Sequence, residues 1–414
     1  VGGDAPDRSA RCRPVQETSM VEYNPFNHRH VDDAFAIYEQ LRNEAPVYYN
    51  EELGFWALSR YEDVVNGHLD VETFSSAHGC TIEGIDAGSP FLIIKDPPEH
   101  TWHRKIVSRV FTPRRISELE PFIRSKAGAL LDAARDKDEF DLVEDFSFRL
   151  PLDVISELIG IPVEHRATVH ELSDQIAHRD GTEVAPEAAF EASAKLVELL
   201  TGLVRERRKN PGDDVISMLI NTEVVNDDGE SWYLPDDEIG FRFLELSFAG
   251  HETVAKLIPN GAIALHRWPD QRRELIEDPA LMPNAIEEML RWDPPSHYQG
   301  RWTLRPIEIH GTVIPQDQRV ILITGSAVRD ERKYPDPATY DLHRNIDRHV
   351  SFGFGRHLCL GAALARLEMR IAFEELLARF PDYTVDEEKA QRAYSGNVRG
   401  LATLPFETKA AAGV

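Results

Sequence analysis

Cys359 stands between a glycine-punctuated loop and a helix-forming run, in the segment Phe352-Gly353-Phe354-Gly355-Arg356-His357-Leu358-Cys359-Leu360-Gly361. A thiolate in that setting suits a metal ligand or a nucleophile. Gly353 and Gly355 let the backbone turn tightly and approach a flat ligand, where a side chain would obstruct it. From Gly361 onward, Leu364, Leu367, Ile371, Leu376 and Phe380 share one helical face, with Arg366, Glu368, Arg370, Glu374 and Glu375 elsewhere. Free amides and the positive dipole end of that helix would face the sulfur and lower its pKa.

Three other segments carry groups that could serve the same site. Ala249-Gly250-His251-Glu252-Thr253 interrupts an otherwise apolar helical run over 237–267. Glycine and threonine both disfavour a regular helix interior, and the threonine hydroxyl can bond the carbonyl one turn back, opening the helix. Pro259 removes the amide that would bond the Ala255 carbonyl, which predicts a second kink, and Lys256 is expected to reach toward a surface. Pro283 opens a short helix on which Glu288 and Arg291 stand one turn apart, upstream of Asp293-Pro294-Pro295 and of Tyr340-Asp341-Leu342-His343-Arg344. In Asp96-Pro97-Pro98-Glu99-His100-Thr101-Trp102-His103-Arg104, the double proline starts a helix with His100 and Arg104 on one face. Arg301 opens a predicted strand.

The cysteine segment matches the pattern F-G-x-G-x-H-x-C-x-G; average residue usage makes a chance match rarer than roughly one in ten million. With the other segments in the same chain order, the sequence resembles the cytochrome P450 family across nearly its whole length. The resemblance implies haem b, with Cys359 as the axial iron ligand and Phe352, Gly353, His357 and Gly361 in the surrounding loop. An anionic sulfur there pushes electron density toward iron and favours O–O cleavage. By the same resemblance, His100, Arg104, Arg301 and His357 hold the haem propionates, and Glu288, Arg291 and Arg344 form a buried triad that locks the cysteine loop. Ala249 and Gly250 would lie beside the haem, Glu252 would relay protons, and Thr253 would hydrogen-bond the oxygen being activated, steering it away from hydrogen peroxide release.

A soluble, bacterial-type, cytoplasmic monooxygenase follows, inserting one oxygen atom from O2 into a C-H or C=C bond. Its electrons would come from NAD(P)H through ferredoxin reductase and ferredoxin, because the chain has no flavin or iron-sulfur segment of its own. Lys105, Arg109, Arg114, Arg115 and Arg356 would frame a basic docking patch for the ferredoxin. The implied substrate pocket draws on Ile82, Ile85, Phe91, Leu92, Leu244, Ser247, Phe248, Pro295 and Val398, with His297, Tyr298 and Asn397 as polar handles. Such a lining suits a terpenoid, fatty acid, steroid or polyketide. Two alternatives stand beside it: a peroxide-driven hydroxylase, for which the Glu252-Thr253 pair would be dispensable, and a non-catalytic haem protein binding a lipophile or gas, which leaves that pair unexplained.

The rest of the chain must position these groups. The chain has 414 residues and lacks linker, low-complexity block or internal repeat. This predicts a polar tail over 1–26 and one haem-enclosing domain over 27–414. A helix is expected from Val31 to Leu41, strands near 47–49 and 55–58, mostly helices from 98 to 292, and strands again near 307–324 and 393–407. The predicted fold is mainly α with a smaller β region. No run of eighteen apolar residues suggests a membrane span. Three cysteines do not suggest a disulfide framework, and a net charge of -25 disfavours nucleic acid as a partner. A monomer is expected.

Overall fold

The computed structural model describes residues 21–84, 89–177, 187–394 and 397–408. Toward its N-terminal end come helix α1 (Ala34–Glu44), strands β1 (Val47–Asn50) and β2 (Phe55–Leu58), helix α2 (Tyr61–Leu69) and strand β3 (Phe74–Ser75). Two later strands, β4 (Gln299–Thr303) and β5 (Arg319–Leu322), complete a sheet in the order β1-β2-β5-β4-β3. Only β2 and β5 run parallel; the other pairs are antiparallel. All four residues of β2 are buried because the two faces of the sheet are both covered. Phe55 and Ala57 join a cluster with Tyr23 and Tyr38, whereas Trp56 and Leu58 join Tyr61, Val64 and Tyr334, as the period-two alternation of a strand requires.

The larger, helical part contains α3 (Glu99–Val107), α4 (Glu120–Ala134), α5 (Arg149–Ile159), α6 (Val163–Ala177), α7 (Glu187–Lys209), α8 (Asp236–Arg267), α9 (Met282–Trp292) and α10 (Ala362–Arg379). Helix α8 is its axis, packed against α5, α7, α9 and α10. Asp236, Asp237 and Glu238 occupy its first turn and His266 and Arg267 its last, which complements the helix dipole at both ends. A hairpin of β6 (Gln391–Tyr394) and β7 (Arg399–Thr403) lies across α8.

Several expectations are corrected. Helix α8 continues through Pro259 to Arg267, because the Ser147 hydroxyl donates to the Ala255 carbonyl at 2.9 Å and replaces the amide that proline lacks. Lys256 does not reach a surface: it is 7% exposed, and its ammonium donates to the Leu401 carbonyl of β7 at 3.0 Å. Helix α10 is buried on more than one face, Glu368 included, since α4, α8 and α9 all pack on it. Val21 and Tyr23 are buried and pack with α1 and the sheet. Asp33 divides the expected 31–41 helix into His28–Asp32 and α1.

Candidate active site

Gly353 (φ 69°) and Gly355 (φ 66°) both take the left-handed conformation, and the Cys359 amide closes the loop on the Phe352 carbonyl at 2.8 Å. A non-glycine residue at 355 would bring its Cβ to 3.0 Å from the His68 carbonyl as well. The Cys359 side chain is solvent-exposed, and the protein packed close around it partly desolvates it. This desolvation pushes the thiol up, against the opposing influence of the Gly361 amide and the charges of Arg104 and Arg366. The expected lowering by the helix terminus is therefore outweighed, and a cation at the sulfur is what would favour the thiolate. Gly361 itself is not sterically required, since an added Cβ would meet only Phe111, at 3.9 Å.

Behind the loop, Glu288 and Arg291 are wholly buried and joined by two parallel hydrogen bonds of 2.6 and 2.7 Å. Arg344 donates to the same carboxylate at 3.1 Å. The remaining donors of the two arginines reach the carbonyls of Val328, Pro335, Asp336, Pro337 and Thr339, so the chain preceding the cysteine loop is held by charge-assisted bonds. Next to this triad lies a clamp that the sequence did not reveal. Glu287 accepts from Arg366 of α10 at 2.6 and 2.9 Å and bonds His349 at 3.0 Å, and Arg366 stacks over Phe352. Burial pushes the Glu287 carboxyl up, but Arg366 and His349 outweigh it and hold the group at about 2. The residues were in view, but contacts between such distant positions have no sequence signature.

In front of the loop is a group of basic side chains of another kind. Arg301 on β4 is buried, with its donors on the Gly300 carbonyl at 2.7 Å and on Nδ1 of His68 at 3.2 Å. The His100 and His357 rings lie 4.3 Å apart, and His357 bonds the Ser76 hydroxyl at 3.1 Å. Arg104 donates to the Leu358 carbonyl. Among the described residues, none of these five forms an ion pair with a carboxylate, and both ring nitrogens of buried His100 lack a hydrogen-bond partner. Burial, followed by mutual repulsion, depresses the histidines: His100 to about 4, with Arg104 and Arg356 contributing, and His357 to about 2, with Arg301 contributing. Burial likewise lowers Arg301 to about 10. Such a set is incomplete without an anion, and a haem with two carboxylates fits it.

Helix α8 supplies the third component. Although largely buried elsewhere along its central turns, it leaves Phe248 and Ala249 exposed and Gly250 and Thr253 half-buried in its middle. The Thr253 hydroxyl donates to the Ala249 carbonyl at 3.2 Å, the back-bond that the sequence predicts. Glu252 is buried, and one carboxylate oxygen lies 3.9 Å from the Lys256 ammonium. An added Cβ at Gly250 would lie 3.0 Å from Ile155, so this glycine serves the contact between α8 and α5.

The expected pocket lining divides. Phe248 is exposed, Phe91 meets Phe241 edge-on, and Asn397 and Val398 are half-buried. Leu92, Leu244, Ser247 and Pro295 are buried, and the Leu92 amide is held by Glu245 of α8 at 2.9 Å. His297, Tyr298 and Ile82 pack beneath α1. His297 bonds the Tyr38 hydroxyl at 2.9 Å and faces Asp293, while Tyr298 and Ile82 sit in the Tyr23–Tyr38 cluster. Ile85 lies outside the described residues.

A helical body with a small sheet, a loop-borne thiol and buried basic groups short of a carboxylate among the described residues fit a haem-thiolate protein. Comparison with known proteins agrees. Residues 185–410 match the Cytochrome P450 family. "Putative cytochrome P450 123" of Mycobacterium tuberculosis is 39% identical over 395 residues, covering 94% of this chain and 97% of that protein. The structure of cytochrome P450 CYP109Q5 from Chondromyces apiculatus superposes with a TM-score of 0.85 at 31% identity, covering 95% of this chain and 100% of the other. CYP109E1 from Bacillus megaterium, in complex with corticosterone, gives 0.82 at 30% identity, covering 93% and 99%. The chain belongs to the cytochrome P450 family, and its activity is that of a monooxygenase. Among the described residues, no helix is long and apolar enough to cross a membrane.

Proposed function

We propose that this protein oxygenates a medium-sized apolar molecule at a C-H or C=C bond, using electrons from NAD(P)H delivered by ferredoxin reductase and ferredoxin. Haem b, held by Cys359 and by His100, Arg104, Arg301 and His357, supplies the dioxygen-activating chemistry when bound. The observation that carries the reading is the open stretch of α8, where Phe248 and Ala249 offer apolar surface beside the back-bonded Thr253. Phe248, Phe91 and Val398 exclude water and orient an apolar substrate, Glu252 moves protons inward, and the Thr253 hydroxyl holds a hydrogen bond at the reacting oxygen. The triad of Glu288, Arg291 and Arg344 keeps the cysteine loop in place.

Lys105, Arg109, Arg114 and Arg356 are exposed, and they support docking of an acidic ferredoxin. A steroid is the first substrate class to test, since the CYP109E1 relative binds corticosterone. The test is an absorption titration of the purified ferric protein with steroids, fatty acids, terpenoids and polyketides, followed by product analysis with reduced ferredoxin. A saturable low-spin to high-spin shift and an oxygenated product are expected. Haem-loaded protein that no apolar compound shifts would contradict the substrate class. Thr253→Ala should retain haem while hydrogen peroxide per NAD(P)H rises several-fold; unchanged peroxide would refute the role given to that hydroxyl.

A further inference from the structure

Lys256 is a charged residue lodged inside the central helix of the body, a costly position unless the charge is compensated. Two features build it in. An added Cβ at Gly400 of β7 would fall 2.5, 2.6 and 2.7 Å from three carbons of the lysine stem, so the stem runs along a lane that only glycine leaves open. At the end of that lane the ammonium donates to the Leu401 carbonyl at 3.0 Å and stands 3.9 Å from Glu252. Along the helix, Glu252 therefore leans toward its C-terminal neighbour, whereas the Thr253 hydroxyl leans back to Ala249.

We propose that Lys256 is a positioning residue for Glu252, holding its carboxylate ionised and directed away from the Thr253 hydroxyl and so setting the pH at which protons enter the site. The inference rests on the relay role given to Glu252. Each proton that leaves the carboxyl is replaced from solvent. Several neighbouring groups are engaged elsewhere. His251 is buried against Phe148, and burial, then the charges of Lys256 and His170, hold it down at about 3. His170 of α6 is turned to Asp153 of α5 at 3.6 Å. Arg399 of β7 is committed to Asp293 at 2.7 and 2.9 Å, and Ser147 to the Ala255 carbonyl.

Lys256→Gln keeps a donor for the Leu401 carbonyl and removes the charge, whereas Lys256→Arg keeps the charge. The holoenzyme is followed in two ways across pH: by the isotope-edited infrared band of the Glu252 carboxyl, with Glu252→Gln as blank, and by NAD(P)H consumption with a surrogate ferredoxin and reductase. Removing a buried carboxylate's cation raises its pKa, so the infrared midpoint should rise by about one pH unit or more in Lys256→Gln and stay near wild type in Lys256→Arg. The alkaline fall of NAD(P)H consumption should move upward with it. An infrared midpoint unchanged in Lys256→Gln would overturn the pairing. A moved midpoint with an unmoved consumption limb would instead overturn the relay role of Glu252, and the inference with it.

Discussion

Two groups of polar side chains flank the cysteine loop, and they are built on opposite principles. Behind it, Glu288, Arg291 and Arg344 close on one another and on backbone carbonyls. In front of it, Arg301, His68, His100, Arg104 and His357 crowd together without an ion pair to any carboxylate among the described residues. Within the first group the opposite charges are matched, so it acts as structure. The second is complete only when something negative joins it: burial lowers Arg301, and burial with neighbouring positive charge lowers His100 and His357. Buried charge marks a functional site here where its partner is missing, and a structural one where its partner is present.

Neutralising one member of each group should therefore have opposite effects. Glu288→Gln leaves two buried arginines short of their carboxylate and should destabilise the protein by about 3–5 kcal/mol, read as loss of haem-loaded protein and an earlier unfolding transition. Unfolding that matches wild type would break the comparison. Arg301→Met removes a cation that has no acidic partner, so haem-depleted protein should unfold at or above the wild-type temperature. Haem should nevertheless leave it about ten to a hundred times faster, on the scale of a lost charge-assisted hydrogen bond worth roughly 1.5–3 kcal/mol. A drop in stability without faster haem transfer would place Arg301 with the structural group.

The smallest effect concerns pH. Glu287 ionises at about 4.5 when unfolded and at about 2 in its clamp, so the folded state holds fewer protons between these values. The clamp's contribution is full above the upper value and is lost as pH falls through the lower one. Glu287→Gln should flatten that part of the acid-unfolding profile while leaving stability near neutral pH reduced but constant; an acid limb identical to wild type would remove the clamp from the account.

How much of this was legible in the sequence depended on whether the relevant residues lie close together along the chain. The cysteine loop with its two positive-φ glycines, the back-bond of Thr253 to Ala249 and the Glu288–Arg291 pair are local geometries, and their spacing announced them. The strands over 47–58 and 307–322 were legible for the same reason, through alternation and turn residues. What escaped depends on distant chain segments meeting. His68 and Ser76 complete the cationic group from positions more than two hundred residues from their partners. Ser147 rescues the carbonyl freed by Pro259, and Gly400 opens the lane that draws Lys256 inward, where a lysine in a helical pattern otherwise reads as surface. The partners of His297 and Tyr298 were not legible, because a polar residue in a turn gives no sign of which neighbour it will face; Tyr38 bonds the histidine.

The central claim, that the unpaired cations receive the haem's carboxylates, is tested most directly by haem affinity measured with haem and with its dimethyl ester, in wild type and in Arg301→Met. The account predicts that esterification weakens binding strongly in wild type and much less in the variant, because the same interaction is then already gone. Equal penalties in the two proteins would contradict it, and would mean that the cationic group does not hold those carboxylates.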